Sequence, residues 1–264
     1  MASFLFLSYR TRSSGSIAGA DGETGLKCIV VIPTYNEADN VPTLLSDILS
    51  LGPEYEVVVV DDNSPDGTGR LVAKMAEDEP RIHLFERPGK LGFGSAYVLG
   101  FRKALSFGAD YIVQMDADYS HNPRDVPRLL EEAAKSDLVI GSRYTAGGST
   151  ESWPIHRRFI SRASNRIIRL VLGLPMMDCT GGFKCFRRSA LESINFQDAR
   201  SNGFPFLFEI NYLCHSSGKD CREVPIRFVD RRAGMSKLSW RMFIEALWLL
   251  VRLRLRRSRR ETRI

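Results

Sequence analysis

The stretch Tyr111-Ile112-Val113-Gln114-Met115-Asp116-Ala117-Asp118 is an apolar run that stops at two carboxylates. Its first five residues have the length and bulk of a buried strand. A turn immediately after them can bring Asp116 and Asp118 toward one cation and the anionic ligand that the cation carries. The same triplet also suits a solvated turn, so its neighbours have to decide between the two.

Apolar runs rich in β-branched residues recur at 28–32, 57–60, 82–85 and 138–140. Helical patterns of suitable length lie between them at 41–51, 69–77 and 95–106. After the acidic triplet, Asn122-Pro123 reads as the N-cap and first residue of a further helix running to about Ala134. Strand and helix alternating in this way predict an α/β fold, a mostly parallel sheet with helices on both faces. In such sheets ligands bind beyond the carboxyl ends of the strands.

The segments that fall at those ends are Pro33-Thr34-Tyr35-Asn36-Glu37, Asp61-Asp62-Asn63-Ser64-Pro65-Asp66-Gly67, the acidic triplet, and Gly141-Ser142-Arg143-Tyr144. Each alone reads as a polar loop; Asn63 to Gly67 is good turn chemistry, and Asp66 also suits a helix cap. Four such loops on one edge point to a binding site. The turn after the first strand contains no glycine, which excludes a dinucleotide-binding fingerprint, and no GxxxxGK[ST] sequence occurs. Gly92-Phe93-Gly94 is a lone GxG ahead of a helix, the pattern of a tight turn.

Among 264 residues, 44% are hydrophobic, enough for one large domain, and no repeat or linker argues for two. The five cysteines are odd in number and form no CxxC pair, which fits a reducing compartment without a disulfide framework or zinc site. The net charge of +6 is uneven. Residues 231–264 hold 11 Lys+Arg against 2 Asp+Glu, leaving 26 basic and 29 acidic side chains, net −3, in the rest. Residues 1–26 are Ser/Gly-rich, with an apolar cluster at Phe4-Leu5-Phe6-Leu7 too short for a secretory core of about 7 to 15 residues; a disordered arm is expected there.

The strand-end segments, together with Val60-Asp61-Asp62, Ser64-Pro65-Asp66-Gly67-Thr68, Asp178-Cys179-Thr180-Gly181-Gly182-Phe183-Lys184, Glu223-Val224-Pro225-Ile226, Phe228-Val229-Asp230-Arg231 and Ser236-Lys237, resemble glycosyltransferase family 2 in composition and order. Within it the likeness is to the dolichol-phosphate (polyprenol-phosphate) mannose synthases, over residues 27–245. The resemblance implies a GT-A catalytic domain over 27–239 and a basic, membrane-associating segment over 240–264. It implies GDP-mannose as donor, polyprenyl or dolichyl phosphate as acceptor, and Mg²⁺ or Mn²⁺ as cofactor. Pro33, Tyr35, Glu37, Val60 and Asp62 would hold guanine and ribose. Asp116, Ala117 and Asp118 would hold ribose, diphosphate and metal, with Asp118 the direct ligand, and Arg143, Arg231 and Lys237 would face phosphates. Where some relatives carry a metal-binding Gln, this chain has Ser120.

Such a reaction builds negative charge on the diphosphate leaving group, which a divalent cation and fixed arginines stabilise. A lipid phosphate, with a second pKa of about 6, needs no strong general base. The segment 153–172 mixes Phe159, Ile160, Ile167, Ile168 and Val171 with Arg157, Arg158, Arg162, Arg166 and Arg169, a basic amphipathic helix suited to a lipid acceptor or to a solvated surface. Residues 242–251 are apolar apart from Glu245 and precede Arg252, Arg254, Arg256, Arg257, Arg259 and Arg260, too short to span a bilayer that needs about 20 apolar residues. An interfacial helix on anionic lipids is expected, on the cytoplasmic face of the endoplasmic reticulum in a eukaryote or the plasma membrane in a prokaryote, with room for a membrane-anchoring subunit. Nucleic acid is not an expected partner, because no aromatic platform or helix-turn-helix pattern accompanies the arginines. A same-fold transferase using UDP-glucose, and a non-catalytic nucleotide-sugar-binding subunit, remain the alternatives.

Overall fold

The computed structural model describes residues 25–199, 201–230 and 240–261. Its first half alternates β1 (Cys28–Thr34), α1 (Val41–Leu49), β2 (Tyr55–Asp61), α2 (Thr68–Asp78), β3 (Ile82–Glu86), α3 (Phe93–Ser106) and β4 (Tyr111–Gln114). A 3-10 turn at Pro123–Asp125 then leads into α4 (Val126–Ala133) and β5 (Leu138–Ser142). The expected strands and helices fall in these places. At the expected N-cap, the Asn122 side chain accepts the Arg124 N–H at 3.1 Å, but the turn it caps is 3-10, with α4 following.

Strands β1, β2, β4 and β5 are buried on both faces because alternate side chains enter two separate cores. Ile29, Val31, Val58, Val60, Ile112 and Ile140 join one cluster, with residues of α3 and of the C-terminal helices. Cys28, Val30, Val57, Val59, Val113 and Val139 join the other, with α1, α2 and α4. Each fully buried aliphatic side chain contributes about 1.5–3 kcal/mol, which explains why four-residue β4 holds the centre of the sheet.

The second half holds elements the sequence pattern did not reveal: β6 (Ser149–Thr150), β7 (Lys184–Arg187), α6 (Arg188–Ser193), α7 (Phe206–Ser216), β8 (Cys221–Pro225) and β9 (Arg227–Phe228). The basic amphipathic segment is α5 (Ile155–Leu172), and the C-terminal helix is α8 (Trp240–Glu261). The seven-stranded sheet has the order β3-β2-β1-β4-β7-β5-β8, and only β7 runs antiparallel to its neighbours. Lys184 of β7 sits opposite Gln114 of β4, so the loop entering β7 meets the carboxyl edge of the parallel strands.

The helix α8 packs on α5 and α7, and its Leu249, Leu250 and Leu253 join the core. Its other side leaves Ile244, Leu247, Trp248, Val251 and Leu255 more than half exposed. Among the described residues, no helix is long and apolar enough to cross a membrane.

Candidate active site

The chain leaves β4 at Gln114 and turns sharply through Tyr119, whose φ of 58° lies in the left-handed region that side chains rarely adopt. Asp118 supports this turn by accepting the Ser120 N–H at 3.0 Å, and it is only 4% exposed. Asp116 accepts the Tyr97 O–H at 3.0 Å, and its own N–H donates to His121 Nδ1 at 3.3 Å. With Nδ1 accepting, the imidazole carries its proton on Nε2. Burial lowers the pKa of His121, whose ring stacks on Phe183 at 5.0 Å between centroids. Burial, and then the Asp116 carboxylate, push the Tyr97 phenol well above its usual range, so it remains a donor.

Gly182 closes the far side. A Cβ there would lie 2.9 Å from Asp116 Oδ2 and 3.2 Å from His121, so any side chain at this position would push the Asp116 carboxylate aside.

Among the described residues no set of three His, Cys, Asp or Glu side chains converges as a complete metal cage. The carboxylates and hydroxyl of this turn are hard oxygen donors, the type that suits a divalent cation keeping few protein ligands and filling its shell with phosphate and water. Ser120 adds to them: its Oγ is buried with no hydrogen-bond partner, and its backbone N–H donates to Asp118. The residues present therefore fit Mg²⁺ or Mn²⁺.

The loops after β1 and β2 are tied into one surface. Asp61 accepts the hydroxyls of Thr34 at 2.7 Å and Ser64 at 2.6 Å. Asp66 accepts the N–H groups of Ala38 and Thr68, both at 3.0 Å, and Thr68 Oγ1 accepts the Glu37 N–H. Pro33, Tyr35, Glu37, Asp62, Asp116, Ala117 and Asp118 thus line adjacent strand ends. The Val60 side chain is buried in the core, so its backbone is the part that can meet a ligand. Asp62 is 6% exposed and paired with Arg87, a residue the sequence reading missed.

Arg143 has a partner that the sequence did not reveal. Its Nε and Nη2 bind the two oxygens of Asp178 at 2.7 Å each, and Nη2 also reaches Thr180 Oγ1 at 2.9 Å. The rings of Tyr144, Trp153 and Phe228 surround the guanidinium at 5.2–5.5 Å. The physical reason is that Asp178 is fully buried and must be compensated by a cation. Burial opposes both charges, but their mutual attraction outweighs it, raising the arginine's pKa and lowering the carboxyl's. Asn165 of α5 braces the same loop, its Oδ1 accepting the Cys179 N–H at 2.7 Å. Arg231 and Lys237 lie outside the described residues.

The model of glycosyl transferase family 2 matches residues 29–194. The chain belongs to this family. It is 41% identical over 222 residues to an undecaprenyl-phosphate mannosyltransferase of Micrococcus luteus, covering 84% of this chain and 91% of that protein. It is 39% identical over 224 residues to a polyprenol monophosphomannose synthase of Mycolicibacterium smegmatis, covering 84% of each. Solved structures share the fold. A glucosyl-3-phosphoglycerate synthase of Mycobacterium tuberculosis with Mn²⁺, UDP-glucose and phosphoglyceric acid matches with a TM-score of 0.62 at 18% identity, over 87% of this chain and 80% of that one. A mannosyltransferase of Pyrobaculum calidifontis with GDP-mannose and Mn²⁺ matches with a TM-score of 0.56 at 20% identity, over 90% and 65%. In this family 2 glycosyltransferase the GT-A sheet brings the acidic pair and the two preceding strand-end loops to one edge.

Proposed function

We propose that the protein transfers mannose from GDP-mannose to a polyprenyl phosphate, with inversion at C1 to give a β-linked lipid phosphomannose. The observation that carries the site is the turn after β4, where half-buried Asp116 is followed by buried Asp118 and the buried, unpartnered Ser120 Oγ. The choice of sugar and acceptor is supported by the likeness to the two polyprenyl-phosphate relatives.

In this reading Pro33, Tyr35, Glu37, Asp62 and the backbone at Val60 hold the guanosine, and Asp116 and Ala117 receive ribose and diphosphate. Asp118, with Ser120, would hold Mg²⁺ or Mn²⁺, which as a Lewis acid would offset the charge growing on the diphosphate. Tyr97 fixes the rotamer of Asp116 through its hydroxyl. Arg231 and Lys237 are proposed to meet the phosphates, while Arg143 shapes the site through Asp178. No general base is invoked: a lipid phosphate is already mostly anionic at neutral pH, and His121 Nδ1 is taken by the Asp116 N–H.

The acceptor's lipid is met by α5 and α8. Ile155, Phe159, Ile160, Ile167 and Leu170 of α5 are each more than half exposed, as is the outer side of α8. Apolar side chains flanked by arginines suit a helix pair lying in the head-group region of an anionic bilayer, a peripheral association at the cytoplasmic face.

The test is a panel of labelled nucleotide sugars offered with polyprenyl phosphate and Mg²⁺ or Mn²⁺. A β-linked mannolipid formed from GDP-mannose, and lost on chelation, is expected. Transfer from UDP-glucose but not from GDP-mannose would overturn the donor, and full activity after chelation would overturn the metal.

A further inference from the structure

The loop 87–92, which joins β3 to α3, is pinned at both ends. At its start the Arg87 N–H donates to the Asp61 carbonyl at 2.8 Å, while the guanidinium binds the Asp62 carboxylate through Nε and Nη2. The remaining donors reach across the loop: Nη1 to Ser95 Oγ at 2.8 Å and Nη2 to the Gly92 carbonyl at 2.9 Å. At its end Gly92 has φ of 108°, and a Cβ there would lie 2.8 Å from the Asn202 carbonyl. A loop so anchored holds its tip in a fixed place. That tip is Lys90, whose Nζ stands 4.1 Å from the centroid of the Tyr35 ring. Among the described residues Lys90 has no ion-pair partner, although it is exposed. Its ammonium rests on an aromatic face rather than on a carboxylate.

We infer that Lys90 is a specificity-determining residue of the donor site, reading the 6-oxo edge of a purine base held between Tyr35 and Asp62. This rests on the guanosine reading above and deepens it. The chemistry pairs donors with acceptors. Guanine offers acceptors at O6 and N7 and donors at N1 and its 2-amino group. Lys90 can donate to O6 and N7, and Asp62, oriented by Arg87, can accept from N1–H and the 2-amino group. Adenine reverses the pattern at positions 1 and 6, and uracil lacks N7.

The experiment measures the affinity of the full chain for GDP, ADP and UDP with Mn²⁺ by calorimetry, in the wild type, Lys90→Met and Lys90→Arg. Lys90 is exposed, so both variants are expected to fold, and their melting temperatures are recorded alongside. The wild type is expected to favour GDP. Lys90→Met is expected to weaken GDP about tenfold while leaving ADP and UDP within about twofold, and Lys90→Arg to keep most of the GDP affinity. An equal loss for all three nucleotides would assign Lys90 to phosphate and overturn the inference. A GDP preference intact in Lys90→Met would overturn it alone, leaving the guanosine donor standing. A wild type that favours UDP would overturn donor and inference together.

Discussion

Asp178 shows what a residue's number and charge can and cannot convey. Its sequence context marked it as part of a motif, and Arg143 as a cation near phosphate. Only the fold shows that the two lie 2.7 Å apart with both side chains nearly sealed from water. Asp178→Asn would leave a buried guanidinium without its counter-charge, and a loss of about 3–5 kcal/mol in urea unfolding is expected. Gly182→Ala is expected to lower turnover more than stability, because the added carbon meets the Asp116 carboxylate at 2.9 Å; kcat and melting temperature measured together check this. Lys184 supplies a pH test. It is fully buried, its Nζ donates to the Leu207 carbonyl at 3.1 Å, and burial pulls its pKa down to about 7. An unfolded lysine keeps its proton to about 10.4, so between about 7 and 10.4 the unfolded chain binds more protons and stability rises with pH. Lys184→Met is expected to flatten that slope in urea midpoints taken at about pH 7 and about pH 9.5. An unchanged slope would contradict the assignment.

At the scale of elements, β1 to β5 were legible because both of their faces are apolar and turn chemistry bounds them. The antiparallel β7 was not, since four residues containing a buried lysine carry no strand signal of their own and depend on β4 and β5 for pairing. The C-terminal helix was legible as apolar and basic, but not as two-sided. Leu253 is 1% exposed and faces the core, whereas Leu247 and Trp248 face outward. The two sides should separate in mutants. Leu247→Ser with Trp248→Ser is expected to weaken binding to anionic liposomes at least about tenfold with stability unchanged, given about 1.5–3 kcal/mol per buried side chain. Leu253→Ser is expected to lower the urea midpoint instead. Equal liposome binding by the double variant would remove α8 from the lipid surface.

For the whole molecule, the charge division between an acidic body and a basic C-terminal segment and the convergence of strand ends on one edge were both visible in the sequence. The strand-end carboxylates Asp62, Asp116 and Asp118 could be grouped that way because a parallel sheet sends every strand end to the same edge. Neighbours contributed by other parts of the chain, such as Tyr97 of α3 and Arg87 and Lys90 of the loop before it, were invisible because no local pattern encodes a contact between separate elements. The claim that holds these parts together is that Asp118 centres a catalytic donor site. Its most direct test is the rate of mannosyl transfer from GDP-mannose to polyprenyl phosphate by Asp118→Asn. A fall of at least about 10²-fold in kcat with an unchanged melting temperature is predicted, and a rate within about twofold of the wild type would contradict it.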